Sequence, residues 1–196
     1  MRKIIVAAAY FIAFSAVAGP FGLNKGMTIA ELNKHGNFMP TNQQFVYASN
    51  TLINGHPDFM SYFVVLTPEH GLCKIEAFTK DIDASPYGTE LEDRFKELIS
   101  ALTEKYGAPG KSLNFLRSGS VWKEPRDWMM SLLKKERTVM AFWAAPEILN
   151  LPDALQIIMV NVTPVSSSKG YLKLGYEFDN ANECLAKLRA KKNSNL

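Results

Sequence analysis

The sequence predicts an α+β protein in which tandem αβββα units form an antiparallel sheet covered by helices. Three observations predict it: alternating apolar runs joined by turn signals, one long helical stripe, and a return of the same element order in the second half of the chain. The composition is that of a folded chain, with 47% apolar and 21% charged residues among 196. That excludes a disordered, collagenous or coiled-coil protein.

In chain order, residues 1–18 read as a leader. Met1-Arg2-Lys3 is a cationic start, and the uncharged apolar run that follows closes on Ala16-Val17-Ala18, the pattern of a cleavable export signal. Its roughly 15 residues reach only about 22 Å as a helix, short of the roughly 30 Å hydrocarbon core. Cleavage after Ala18 is therefore expected, with an uncleaved inner-membrane anchor as the alternative. No Cys follows the cut, which argues against a lipid-anchored product, and no stable membrane span is expected once the leader is gone.

The rest, residues 19–196, reads as a single domain of two pseudo-repeats, about 26–107 and 124–192. Thr28 and Glu31 form a capping box that opens a short helix ending at Gly36. Strand-like runs follow at 45–48, 62–67 and 72–79, the last two joined by the turn Pro68-Glu69-His70-Gly71. Thr89 and Glu92 suggest a second capping box for the clearest helix, whose stripe is Leu91, Phe95, Leu98, Ile99, Leu102 and Tyr106. Gly107 and Pro109 stop it, and residues 111–123 read as a linker.

The second half repeats this order. A helix over 125–136 begins with Pro125 at the favoured first turn. Strand-like runs follow at 138–144, 155–163 and 171–178, and Asn180 with Glu183 suggests a third capping box for a closing helix. The text Val-Leu-Thr-Pro ending at Pro68 returns as Asn-Val-Thr-Pro ending at Pro164, and the helix starts recur at a similar offset of roughly 96–99 residues.

Export would give the two cysteines a meaning, because an oxidising compartment lets a matched pair persist as a disulfide. Alternation places Cys73 with Ile75 and Ala77 on one strand face, and Cys184 lies on a helix stripe with Ala181 and Leu185. Both point to apolar surroundings, where a Cys73 to Cys184 bridge is expected; two separate buried thiols are the alternative. The location that follows is periplasmic or secreted.

Charge bears on partners. The formal net charge is +3, and without Arg2 and Lys3 it is +1, from 20 basic and 19 acidic residues. Nucleic acid is excluded as a partner, since that affinity needs several phosphates neutralised at once.

The sequence offers no catalytic residue, no metal site and no cofactor motif. Residues 107–112 resemble a phosphate loop but have the wrong spacing and follow a helix. The three histidines, His35, His56 and His70, are spread over turns and a helix end, with no cysteine at ligand spacing. The acidic pairs Glu69 with Glu76 and Glu177 with Asp179 could serve glycoside hydrolysis only if folding set them facing one another. The densest group of recognition-type side chains is Trp122, Arg126, Trp128, Met129 and Met130, a candidate partner-binding segment. The competing reading puts Trp128 and Met129 in the core of the helix.

The stretches GLCKIEAF, YGTELEDRFKELISALTEKYGAP, DWMMSLLKKERT and GYLKLGYEFDNANECLAKL together resemble a set of small exported bacterial proteins of unassigned activity. The resemblance implies export and the Cys73 to Cys184 pairing, and it carries no active site across. At fold level the tandem plan is similar to secreted inhibitor proteins and small envelope modules, a weak warrant for function. The expectation is an exported module that binds an envelope or secreted protein. The alternatives are an envelope hydrolase with unlocated carboxylates, or a carrier of a small apolar ligand.

Overall fold

Local signals act largely where the sequence puts them, in a computed structural model that describes residues 19–144 and 151–193. The expected leader lies outside the described residues. Thr28 caps α1 (Ile29–Leu32) with the full capping box, its hydroxyl accepting from the Glu31 amide while the Glu31 carboxylate accepts from the Thr28 amide at 2.8 Å. After α1 come β1 (Met39–Pro40), β2 (Val46–Ser49), β3 (Phe59–Thr67), β4 (Gly71–Thr79) and β5 (Ile82–Asp83). Then follow α2 (Thr89–Tyr106), β6 (Lys111–Leu116), α3 (Trp128–Leu133), β7 (Arg137–Ala144), β8 (Leu155–Ser166), β9 (Lys169–Phe178) and α4 (Ala181–Asn193).

The strands join one antiparallel sheet in the order β1-β2-β3-β4-β9-β8-β7-β6, with β5 pairing β9 beyond the end of β4. Its first face is apolar from β3 to β7. Val64, Ile75, Tyr176, Ile158 and Trp143 are successive partners from β3 to β7, and Tyr62, Ala77, Leu174, Val160 and Ala141 form the neighbouring row. All ten are buried. Burial of such side chains stabilises by about 1.5–3 kcal/mol each, and α2 supplies the cover with Leu91, Phe95, Leu102 and Tyr106. The Trp143 indole N–H donates to the Gly107 carbonyl at 2.7 Å and ties β7 to the end of α2.

Several local expectations are corrected. Thr89 is the first helical residue of α2, not its cap; Gly88 takes that position at φ 69° with no side-chain cap. A Cβ there would lie 1.9 Å from the Trp128 ring, so only glycine fits. The Glu90 carboxylate instead accepts from the Ser85 amide at 2.9 Å. Asn180 does not cap α4 through its oxygen: its side-chain amide donates to the carbonyls of His70 and Leu72 at 3.0 and 3.2 Å, pinning the helix start to the β3–β4 hairpin. The expected linker is in part strand β6, an edge strand on β7. The helix expected over 125–136 is a 3-10 turn, Pro125–Asp127, followed by only six α-helical residues.

The disulfide between Cys73 and Cys184 is formed, with Cα atoms 6.4 Å apart. Alternation fails at Cys73 itself. Val65 pairs with Lys74 and Leu66 with Leu72, which leaves Cys73 as the extra residue of a β-bulge. A bulge re-aims the side chain at that point, so Cys73 meets α4, while Ile75 and Ala77 stay with the first face.

Candidate functional site

The second face of the sheet is built differently, because charged and apolar residues alternate with the core positions of the central strands. On β4 these are Lys74, Glu76 and Phe78, and on β9 Tyr171, Lys173 and Glu177, all half-buried. Cross-strand pairing sets Lys74 opposite Glu177. The Lys74 ammonium lies 2.9 Å from Glu177 and 3.1 Å from Glu76, and Lys173 reaches Glu76 at 3.3 Å. The centre of the face is thus a chain of paired charges, bordered by Phe63 and Tyr171, whose rings lie 5.3 and 5.9 Å from that of Phe78.

Electrostatics fix the protonation of this group. Burial pushes the Glu76 carboxyl up, but Lys74 and Lys173 more than reverse that and hold it below its ordinary value. Burial likewise pushes Lys74 down, and Glu76 and Glu177 overturn it so that the ammonium titrates above its usual range. A carboxyl held low is ionised at neutral pH and is unsuited to act as a general acid, which needs a raised pKa.

A stability effect follows from the sign of the Glu76 shift. Since the folded chain holds the proton less tightly than the unfolded chain, the stabilisation is present above the ordinary value near 4.5 and is lost as pH falls through the lower folded-state value. Glu76→Gln is expected to cost about 1–3 kcal/mol at pH 7 and to flatten the loss of stability on acidification. Urea unfolding between pH 7 and 3 measures both effects. Parallel pH curves for the two proteins would show that the Glu76 charge is not coupled to folding.

α4 lies across this face at the β3–β4 end. Leu185 closes a 250 Å3 cavity there with Val46, Phe63, Val65 and Phe78 as its apolar walls. Beyond α4, a groove of about 530 Å3 runs beside β7 and β8, where Met140, Met159 and Asn161 form the floor and Lys135, Arg137 and Lys173 supply cationic groups. Arg137 is held in place, donating to the Ser131 hydroxyl at 2.9 Å and to the Asn114 side-chain oxygen at 2.7 Å. The Asn161 amide nitrogen donates to the Thr163 hydroxyl at 3.3 Å, and its side-chain oxygen is buried without a partner among the described residues.

The candidate partner-binding residues are not all on the surface. Trp128 and Met129 are buried at 6% and 0% exposure, Trp128 under Gly88 at the start of α2. Arg126 is exposed, and Trp122 and Met130 are half-buried, so the contact area of this segment comes from these three and the exposed Val121. The acidic pairs considered from sequence are engaged separately: Glu69 with Lys187, Glu177 with Lys74, and Asp179 with Lys25. Among the described residues no three His, Cys, Asp or Glu side chains are grouped to hold a metal ion, and no helix is long and apolar enough to cross a membrane.

Sequence reading missed Lys74, Lys173, Met140, Met159 and Asn161. The available signal was the charge at alternate positions in GLCKIEAF and GYLKLGYEF, which marks strands with one face incompletely covered. Comparison with protein families, with curated proteins and with solved structures finds no match for this chain.

Proposed function

We propose that the chain is an exported, disulfide-closed module that binds another protein of the envelope or the external medium rather than turning over a substrate. The observation that carries this reading is the part of the second sheet face that α4 leaves uncovered, where half-buried Met140 and Met159 line the groove with Lys173 and half-buried Phe142 is the cross-strand partner of Met159. Methionine and aromatic side chains next to a fixed cation make an adaptable contact surface. Val121, Trp122, Arg126 and Met130 add a second patch.

Export is supported by the disulfide, which persists in an oxidising compartment. The tandem αβββα origin belongs to the same proposal. In its support, β2-β3-β4 and β9-β8-β7 run in mirrored order from the β4–β9 seam.

Two measurements test this. Non-reducing mass spectrometry of the exported fraction is expected to find a bridged chain beginning at Gly19. The immobilised oxidised protein is expected to retain an envelope protein, and Met159→Asp to weaken that binding at least about tenfold. Absence of any retained partner together with turnover of a substrate in an activity screen would overturn the reading.

A further inference from the structure

A second cavity opens on the opposite side of the molecule, over the first sheet face, and the groups that line it divide by polarity. Its volume is about 300 Å3, about twice the roughly 150 Å3 apolar void that accommodates a benzene ring. Phe21, Phe59, Leu102, Leu174 and Tyr176 form an apolar floor, all buried except the half-buried Phe21. Asn54, His56 and Lys105 stand exposed at its mouth.

Phe21 is the distinctive member. It sits at φ 57°, ψ 21°, a left-handed conformation that is uncommon for a bulky side chain and that clusters at ligand sites. Edge-on contacts hold it there, with ring centroids 5.7 Å from Phe59, 5.1 Å from Tyr62 and 5.9 Å from Tyr176. The floor carries no charge: burial first, then the nearby Tyr106, pushes the Tyr176 hydroxyl well above its ordinary value, so it stays protonated.

None of the lining residues is a carboxylate. Asp58 is engaged by Arg94 at 2.8 Å, and the same carboxylate oxygen lies 3.8 Å from Nδ1 of His56. Lys105 has no ion pair among the described residues and lies 5.0 Å from the centre of the Tyr106 ring. A ligand cation at the mouth would meet that ammonium, whereas an anion would be attracted to it.

We propose that this cavity binds a small hydrophobic monocarboxylate, its single-ring-sized body between Phe21, Phe59, Leu102 and Tyr176 and its carboxylate at the mouth beside Lys105 and His56. This is independent of the partner-binding surface on the other face.

Titration of the oxidised full-length mature chain, followed by NMR, tests the site with three probes of one size: phenylacetate, its neutral amide, and benzylammonium. Phenylacetate is expected to bind with a Kd of about 10 µM to 1 mM and to shift resonances of the lining residues. Phenylacetamide is expected to bind about 2–5-fold more weakly, and benzylammonium not measurably. Lys105→Met is expected to equalise acid and amide. Ala101→Trp, an exposed helix position that lines the cavity, is expected to abolish binding while the circular dichroism spectrum stays unchanged. Binding of benzylammonium as tight as that of phenylacetate, retention of phenylacetate by a folded Ala101→Trp protein, or no shifts at the lining residues would each overturn the proposal.

Discussion

Reduction of the Cys73–Cys184 bond, or replacement of both cysteines by serine, is expected to lower the unfolding free energy by about 4–5 kcal/mol. The sequence separation is 111 residues, and in the chain-entropy account closing a loop of about that length removes this much freedom from the unfolded chain. That is a large share of the roughly 5–15 kcal/mol by which domains are stable. The local consequence is as specific as the global one. α4 is held to the rest by Ala181 and Cys184, both buried, and by the two Asn180 amide bonds to the hairpin. Without the covalent tie, hydrogen exchange is expected to show α4 opening before the central strands, uncovering Phe63 and Val65. Urea midpoints with and without reductant measure the global term. Equal midpoints would show that the bond contributes nothing to stability.

The second large effect is expected at Trp143. It is fully buried on β7, is among the largest enclosed side chains, and its N–H is spent on the Gly107 carbonyl where α2 ends. Trp143→Ala is expected to cost about 3–5 kcal/mol, the usual range for removing a buried ring and leaving a cavity. Trp143→Phe separates the two contributions: it keeps most of the apolar contact and loses the donor, for an expected cost of about 1–2 kcal/mol. Chemical denaturation of both variants measures the difference. A phenylalanine variant as unstable as the alanine one would place the whole effect in the hydrogen bond and the ring's shape rather than in apolar burial.

How much of this was legible depended on the range of the interaction that decided each feature. Runs at β3, β4, β8 and β9 were readable because alternation there is enforced by the first face, which is apolar from β3 to β7. The Thr28 box was readable because both its partners lie within three residues. Thr89 and Asn180 have equally good local signals, and tertiary contacts displaced them. The Trp128 ring admits only glycine at position 88, and the carbonyls of His70 and Leu72 take the Asn180 amide. β6 was missed because Leu113 and Phe115 alternate over too short a stretch, just after a glycine and proline stop. The bulge at Cys73 depends on register with β3, which one strand does not encode. The same holds for both cavities. Phe21 meets Phe59, Tyr62 and Tyr176 only after strands far apart in the chain have paired.

The seam between β4 and β9 has a consequence for how the chain reaches this state. Ile75 and Tyr176 are direct partners at the middle of the sheet, yet about a hundred residues separate them along the chain, a contact order that delays pairing because the intervening loop must first be closed. A polypeptide emerging amino end first would therefore complete β2, β3 and β4 and then hold the β4 edge open until β9 arrived. The pairing at the centre of the finished sheet is among the last able to form, and Cys184, which follows β9, joins Cys73 later in the chain's emergence still.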